Sequence, residues 1–265
     1  MEFLPYKYDP SLILSQSILP WLAKEEGTAL TASDLYLLLN LYAIRGPWGR
    51  LDIDLKHFYE RVYGRGTKGR SGLQGLKTEL AGLEAKLKGN PYLRLRWKAI
   101  SEKEGMGKLE LGTLQTDGEP YVILASDELC KLFNLFPVER GQLERAVWVY
   151  LYIQSGLWGH EYSRKVVDEN GNARLEPARA YGYWIGMDAI REASGLNYKT
   201  VLTYTKQMIE RGLLSTLQGG LNKRTIFIVG NDPQDIAAIQ SWAESALKDN
   251  GNPRWGLSNG KNFRW

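Results

Sequence analysis

Residues 198 to 211, "YKTVLTYTKQMIER", separate into two faces when placed about 100° apart around a helix axis. Tyr198, Val201, Leu202, Thr205, Met208 and Ile209 share an arc of about 120°, the width of a core-facing stripe. Lys199, Thr200, Thr203, Lys206, Gln207 and Glu210 take the opposite side, with Tyr204 and Arg211 at the margins. Asn197 precedes the run as an N-cap, and Gly212 follows it as a left-handed stop. A second helical stripe lies in residues 71 to 88, where Leu73, Leu76, Leu80, Leu83 and Leu87 recur at three and four residues. It predicts a helix packed on one narrow face, with a dimer seam as the rival use. Gly72 and Gly75 within it either mark fraying or let another segment approach.

The remaining pattern fills in around these two helices. "LYLLLNLYAI" is an apolar helix, "DIDLKHFYERVY" a helix candidate, and "YLRLRWKAI", "KLELGTLQT" and "YVILA" alternate as strands do. The expected order is therefore three helices followed by a hairpin. Further on, "GQLERAVWVYLYIQ" predicts a helix, and "EYSRKVVDENGNARLEPARAYGYWIG" a hairpin turning at Asn170-Gly171. "DAIREAS" gives a second helix, residues 198 to 211 the third, and "LLSTLQ" with "TIFIVG" two strands joined by the basic tip "GGLNKR". A last helix opens at Asp232-Pro233 and runs to about Lys248.

The two series resemble each other. Tyr42, Gly46, Trp48 and Gly49 recur as Tyr152, Gly156, Trp158 and Gly159 at one offset of 110 residues. We read this as an internal duplication. The expected organisation is an N-terminal segment (1–28), a first domain (29–125), a linker helix (126–140), a second domain (141–230) with a hairpin insertion at 160–181, and a C-terminal helix with a basic, aromatic tail (231–265).

Composition narrows the classes without choosing among them. A chain of 265 residues with 43% apolar residues can bury a sizeable core. Lys and Arg number 34 against 30 Asp and Glu, a net charge of +4 that permits a polyanionic partner without requiring one. Cys130 is the single cysteine, so no internal disulfide exists, and "SDELCKLF" favours a buried thiol over a nucleophile. An acidic residue and prolines stand where a signal peptide has a basic region and an unbroken apolar run, and no stretch of 18 apolar residues occurs. The expected location is cytoplasmic, at the nucleoid, with no membrane association.

Enzyme motifs are missing from the sequence. Neither His57 nor His160 sits in a metal-ligand pattern, and "DENGNARLE" places its acids and glycine at the wrong offsets for a calcium loop. No phosphate loop, dinucleotide fingerprint or nucleophile elbow is present. The expectation is a non-catalytic protein without metal or cofactor.

Between about 140 and 230 the chain resembles a winged helix-turn-helix DNA-binding domain. Ile190, Gly195, Leu196 and Val201 match its apolar and turn positions, and "ERGLL" matches the end of its recognition helix. Arg191 departs from the pattern, standing where a small residue usually packs in the helix crossing. The resemblance implies an α+β fold, mainly α with small hairpins, built of two tandem winged-helix domains. It also implies that Lys199, Thr200, Thr203 and Gln207 face the major groove, joined by Tyr198, Lys206 and Arg211, while Lys223 and Arg224 in the wing reach backbone or minor groove. In the first copy, residues 61 to 78 hold Arg61, Arg65, Lys68, Arg70 and Lys77 without an acid, a stretch suited to phosphates, and Gln74 joins its expected contact set. The tail carries Arg254, Lys261 and Arg264 beside Trp255, Phe263 and Trp265, which can stack on bases or staple the tail to its own domain.

Two tandem winged helices in a chain of this length resemble plasmid and phage replication initiators. Such proteins grip repeated origin sites, and one domain serves dimerisation. The expected function is sequence-specific binding of double-stranded DNA for replication initiation, with a homodimer and replication or nucleoprotein partners implied. A transcriptional regulator and a non-catalytic subunit that uses winged helices for protein docking are the alternatives.

Overall fold

The computed structural model describes residues 12–23, 26–44, 50–63, 70–88, 90, 95–101, 106–111, 121–135, 140–219, 224–246 and 256–257. The protein is mixed α+β and divides into two compact units, 1–148 and 149–265.

In the first unit, strand β1 (Leu12–Ser15) pairs antiparallel with β5 (Tyr121–Leu124), bringing Leu12 opposite Leu124. Helix α1 (Ala32–Ile44) begins at a reciprocal cap in which the Thr31 N–H and hydroxyl donate to Asp34 Oδ2 at 2.8 and 2.7 Å. Leu35, Tyr36, Leu37, Leu38, Leu39, Leu41 and Tyr42 are all buried, so α1 is apolar on every side and runs through the core. Its buried Asn40 satisfies its amide on the Tyr36 carbonyl at 2.9 Å. Helix α4 (Ser126–Phe133) packs on α1 through an edge-to-face contact of Phe133 with Tyr36, their centroids 5.8 Å apart.

The segment expected to be one helix from residue 52 is instead strand β2 (Arg50–Asp54) followed by helix α2 (Leu55–Tyr63). The switch occurs at Asp54, whose Oδ1 accepts the N–H groups of Lys56 (2.8 Å) and His57 (3.2 Å) and so starts the helix. Helix α3 (Arg70–Lys86) buries Leu76, Leu80, Leu83 and Leu87, the expected stripe, with Leu73 half-buried. Strands β3 (Leu95–Ser101) and β4 (Met106–Leu111) form the expected hairpin, and β2 joins it in the order β2-β4-β3. "YVILA" does not extend this sheet; it is β5, paired with β1.

Helix α5 (Arg140–Ser155) crosses the division between the units. The second unit continues with strands β6 (Trp158–Val167) and β7 (Ala173–Trp184), helices α6 (Met187–Ser194) and α7 (Tyr198–Glu210), strands β8 (Leu214–Gly219) and β9 (Arg224–Val229), helix α8 (Pro233–Ala246) and the two-residue strand β10 (Gly256–Leu257). The sheet order is β10-β8-β9-β7-β6, all antiparallel. β6 and β7 form a long two-stranded ribbon that turns at Asp168–Asn172, with Gly171 at a φ of 83°. Residues 160–181 make up most of this ribbon, and the end of β7 beyond them (Gly182–Trp184) pairs with β9 in the core sheet.

Helix α8 covers one sheet face, packing Ile236, Ile239 and Ala243 on Ala180, Leu217, Ile226 and Ile228. Gly182 lies close beneath α8, where a Cβ would sit 3.0 Å from Ile239. Thr216 and Phe227 alternate to the other face and are also fully buried, so the β8–β9 core is covered on both sides.

Candidate nucleic-acid interface

Helices α6 and α7 are joined by a three-residue turn whose geometry is set residue by residue. Gly195 takes a left-handed φ of 65° at the end of α6, and Asn197 caps α7 by accepting the Thr200 N–H on its side chain at 2.9 Å. Ile190 is fully buried on α6. Arg191 points to solvent, 3.6 Å from Asp188, so it leaves the helix crossing free. At the far end Gly212 turns left-handed (φ 68°), Leu213 donates to the Met208 carbonyl (2.9 Å), and Gly230 donates to the Leu213 carbonyl (2.8 Å). These bonds fix the helix axis against the β8–β9 hairpin.

The faces of α7 are close to the expected ones, rotated toward Tyr204. Val201, Tyr204, Thr205 and Met208 are buried, and their mean direction is opposite that of the exposed Lys199, Thr203, Lys206 and Glu210. Tyr204, expected at the margin, is core. Leu202 and Ile209, expected in the core, are half-buried, as are Tyr198 and Thr200. Burial, and secondarily Asp188, pushes the Tyr198 phenol above its ordinary pKa. Arg211 is exposed just past the helix end. Gln207 is half-buried, and its Oε1 is enclosed without a hydrogen-bond partner among the described residues.

The exposed stripe thus consists of Lys199, Thr203, Lys206 and Glu210, flanked by Arg211. Thr203 Oγ1 donates to the Lys199 carbonyl at 2.8 Å, which leaves its methyl group and oxygen lone pairs on the surface. Of the wing contacts, Arg224 opens β9 opposite Gly219, while Lys223 lies outside the described residues.

No protein-family model and no curated protein sequence matches this chain.

The basic stretch of the first unit is less uniform than its sequence. Arg61 faces inward, its Nε donating to Asn40 Oδ1 at 3.4 Å, and burial lowers its pKa to about 10 against the opposing influence of Cys130 and Tyr36. It is half-buried against α1. Cys130 is buried, and that burial raises its pKa, partly offset by Arg61. Arg65 and Lys68 lie outside the described residues; Arg70 begins α3, Gln74 is exposed and Lys77 is half-buried. Gly72 is the glycine of close approach: a Cβ there would lie 2.6 Å from the Tyr59 hydroxyl, where α2 meets α3.

Among the described residues no group of three or more His, Cys, Asp or Glu side chains is placed to hold a metal ion. His57 bonds Asp54 at 2.7 Å through Nδ1, and His160 lies 2.9 Å from the Gly182 carbonyl through Nε2. No described helix is long and apolar enough to cross a membrane.

Sequence reasoning did not single out the aromatic surface of the β6–β7 ribbon. Trp158 stacks on Tyr183 with centroids 5.2 Å apart, and Trp242 of α8 lies against His160 at 4.3 Å. The signal was present in the strand alternation, but the segment was read as an insertion and its two faces were not separated.

Proposed function

We propose that the protein binds double-stranded DNA sequence-specifically, with α7 as the reading helix and β8–β9 as the wing. The observation that carries this reading is the exposed stripe of α7. Four side chains at positions i, i+4, i+7 and i+11 form one line, directly opposite a core side that locks the helix in place. Two lysines bring positive charge and donors to base acceptors or phosphates, Thr203 brings a methyl and an acceptor, and Glu210 brings an acceptor for a base amino group.

The tandem winged-helix arrangement is part of the same proposal, supported by strand pairing that repeats. In the first unit the order helix, strand, helix, helix, strand, strand is α1, β2, α2, α3, β3, β4, with the first strand beside the last. From α5 onward, with β6 as an added strand, β7, α6, α7, β8 and β9 follow the same order, and β7 again lies beside β9. A duplicated DNA-binding plan of this kind fits an initiator that occupies repeated sites, and we propose replication initiation in the cytoplasm as its role.

Titration of duplex DNA with the full chain and with Lys199→Ala and Lys206→Ala tests the reading. A stripe that touches phosphates loses about one unit of the salt slope for each lysine removed. Binding that is unchanged by both substitutions at every salt concentration would put the interface elsewhere.

A further inference from the structure

Among the described residues the β6–β7 ribbon exposes Val167, Leu175 and Tyr181 on one face, while the exposed Trp158 and Trp184 fall on the opposite face by register. The register sorts the ribbon into two faces. His160, Tyr162 and Arg164 lie on the face held by α8, where the Tyr162 hydroxyl donates to Asp235 at 2.6 Å and Arg164 pairs with Asp235 at 2.8 Å. Among the described residues no element packs on the other face. Its rows are Gly159 beside Tyr181, Glu161 beside Arg179, Ser163 beside Pro177, Lys165 beside Leu175 and Val167 beside Ala173. Leu175 is 71% exposed and Val167 57%, which is unusual for adjacent apolar side chains on a sheet.

We propose that this face is a self-association surface whose partner is a second copy of the chain. Charge decides the partner. The charged side chains in the five rows of this face are Glu161, Arg179 and Lys165, and the first two form an exposed ion pair. The face is complementary to itself. A two-fold axis along the strands sets β6 of one copy over β7 of the other, row on row. Glu161 then faces Arg179 of the second copy, and with the existing Glu161–Arg179 pair at 2.5 Å the four groups alternate in sign around a square. In the same arrangement the Lys165 stem covers Leu175 of the second copy.

The contact uses the face and not the strand edge. Lys165 at the outer edge donates its N–H to Gln234 Oε1 (2.7 Å) and accepts from Gln234 Nε2 (3.1 Å), so a side-chain amide occupies the place of a neighbouring strand. The size of the face sets the strength. Five rows span about 27 Å by roughly 10 Å, about 300 Å² for each copy, against about 800 Å² for a stable partner. Association is therefore weak, with a dissociation constant on the order of 100 µM or higher. This inference stands independently of DNA binding.

Sedimentation of the full chain from about 10 µM to about 1 mM tests it, a range chosen to bracket association through so small a face. The average mass of the wild type rises across this range, and that of Leu175→Glu and of Glu161→Arg stays at the monomer value. An equimolar mixture of Glu161→Arg and Arg179→Glu associates, while each alone does not. All three positions are exposed, so thermal melts that match the wild type verify that the variants are folded. A wild-type mass that stays monomeric throughout, a Leu175→Glu variant that associates like wild type, or a charge-swapped mixture no better than its components overturns the proposal.

Discussion

Three glycines show how differently one residue type acts. Gly212 holds a φ of 68°, and a Cβ there would lie 2.8 Å from Asn231 Nδ2, so Gly212→Ala combines left-handed strain with a clash. We expect a loss of about 1–2 kcal/mol in urea unfolding. Gly75 lies inside α3 with nothing within 4 Å of a Cβ, and Gly75→Ala is expected to stabilise by about 0.5–1 kcal/mol in the same assay. Gly72, three residues earlier, has no such room beneath Tyr59. The sequence showed two helical glycines with two explanations; only the packing of α2 on α3 assigns close approach to Gly72 alone. Asp54 adds a pH signature. Burial raises its pKa, but the His57 and Lys56 N–H groups and the His57 side chain outweigh this and hold the carboxyl below its ordinary value. The folded pKa is therefore below the unfolded one, so the stabilisation is complete above about pH 4 and fades as pH falls through the folded value. Denaturation of Asp54→Asn is expected to vary less with pH over that acid window than that of the wild type.

At the scale of elements, what was legible depended on whether the information was local. The ends of α7 were readable because Asn197 and Gly212 act on their own neighbours, and the ribbon turn at Asn170-Gly171 because a tight turn is a local event. Strand β2 was not, since Arg50–Asp54 is held by β4, far along the chain, and the apolar residues after it continue a helical period. The pairing of β5 with β1 was hidden for the same reason. The faces of α7 came out rotated because a helical wheel weighs Leu202 and Ile209 above a tyrosine, whereas Tyr204 buries its ring in the core. Helix α8 depends on Ile239, fully buried against the sheet, and Ile239→Ala is expected to cost about 2–5 kcal/mol by chemical denaturation. Because α8 also holds Tyr162 and Arg164 through Asp235, the same variant should loosen the ribbon, visible as faster amide exchange along β6.

At the scale of the molecule, the neighbours β2-β4-β3 of the first unit and β7-β9-β8 of the second follow one order, the latter inside a sheet that also holds β6 and β10. On the proposed duplication, hydrophobic patterning keeps the architecture while most side chains change, so the plan is clearer in the pairing of strands than in aligned identities. The proposed interface depends on a few surface residues carried by that plan. Thr203→Ala is expected to weaken binding to the cognate site by ~1–3 kcal/mol with little effect on other sequences, whereas Lys206→Ala should weaken binding to all DNA. The central claim, that α7 reads sequence, is tested most directly by selecting from a random duplex library at about 150 mM salt with the wild type and Thr203→Ala, where nonspecific binding is suppressed. The account predicts that one motif is enriched, that it binds at least about a hundredfold tighter than a scrambled duplex, and that the preference is reduced in the variant. Enrichment of no motif, or of the same motif with undiminished preference in Thr203→Ala, would contradict it.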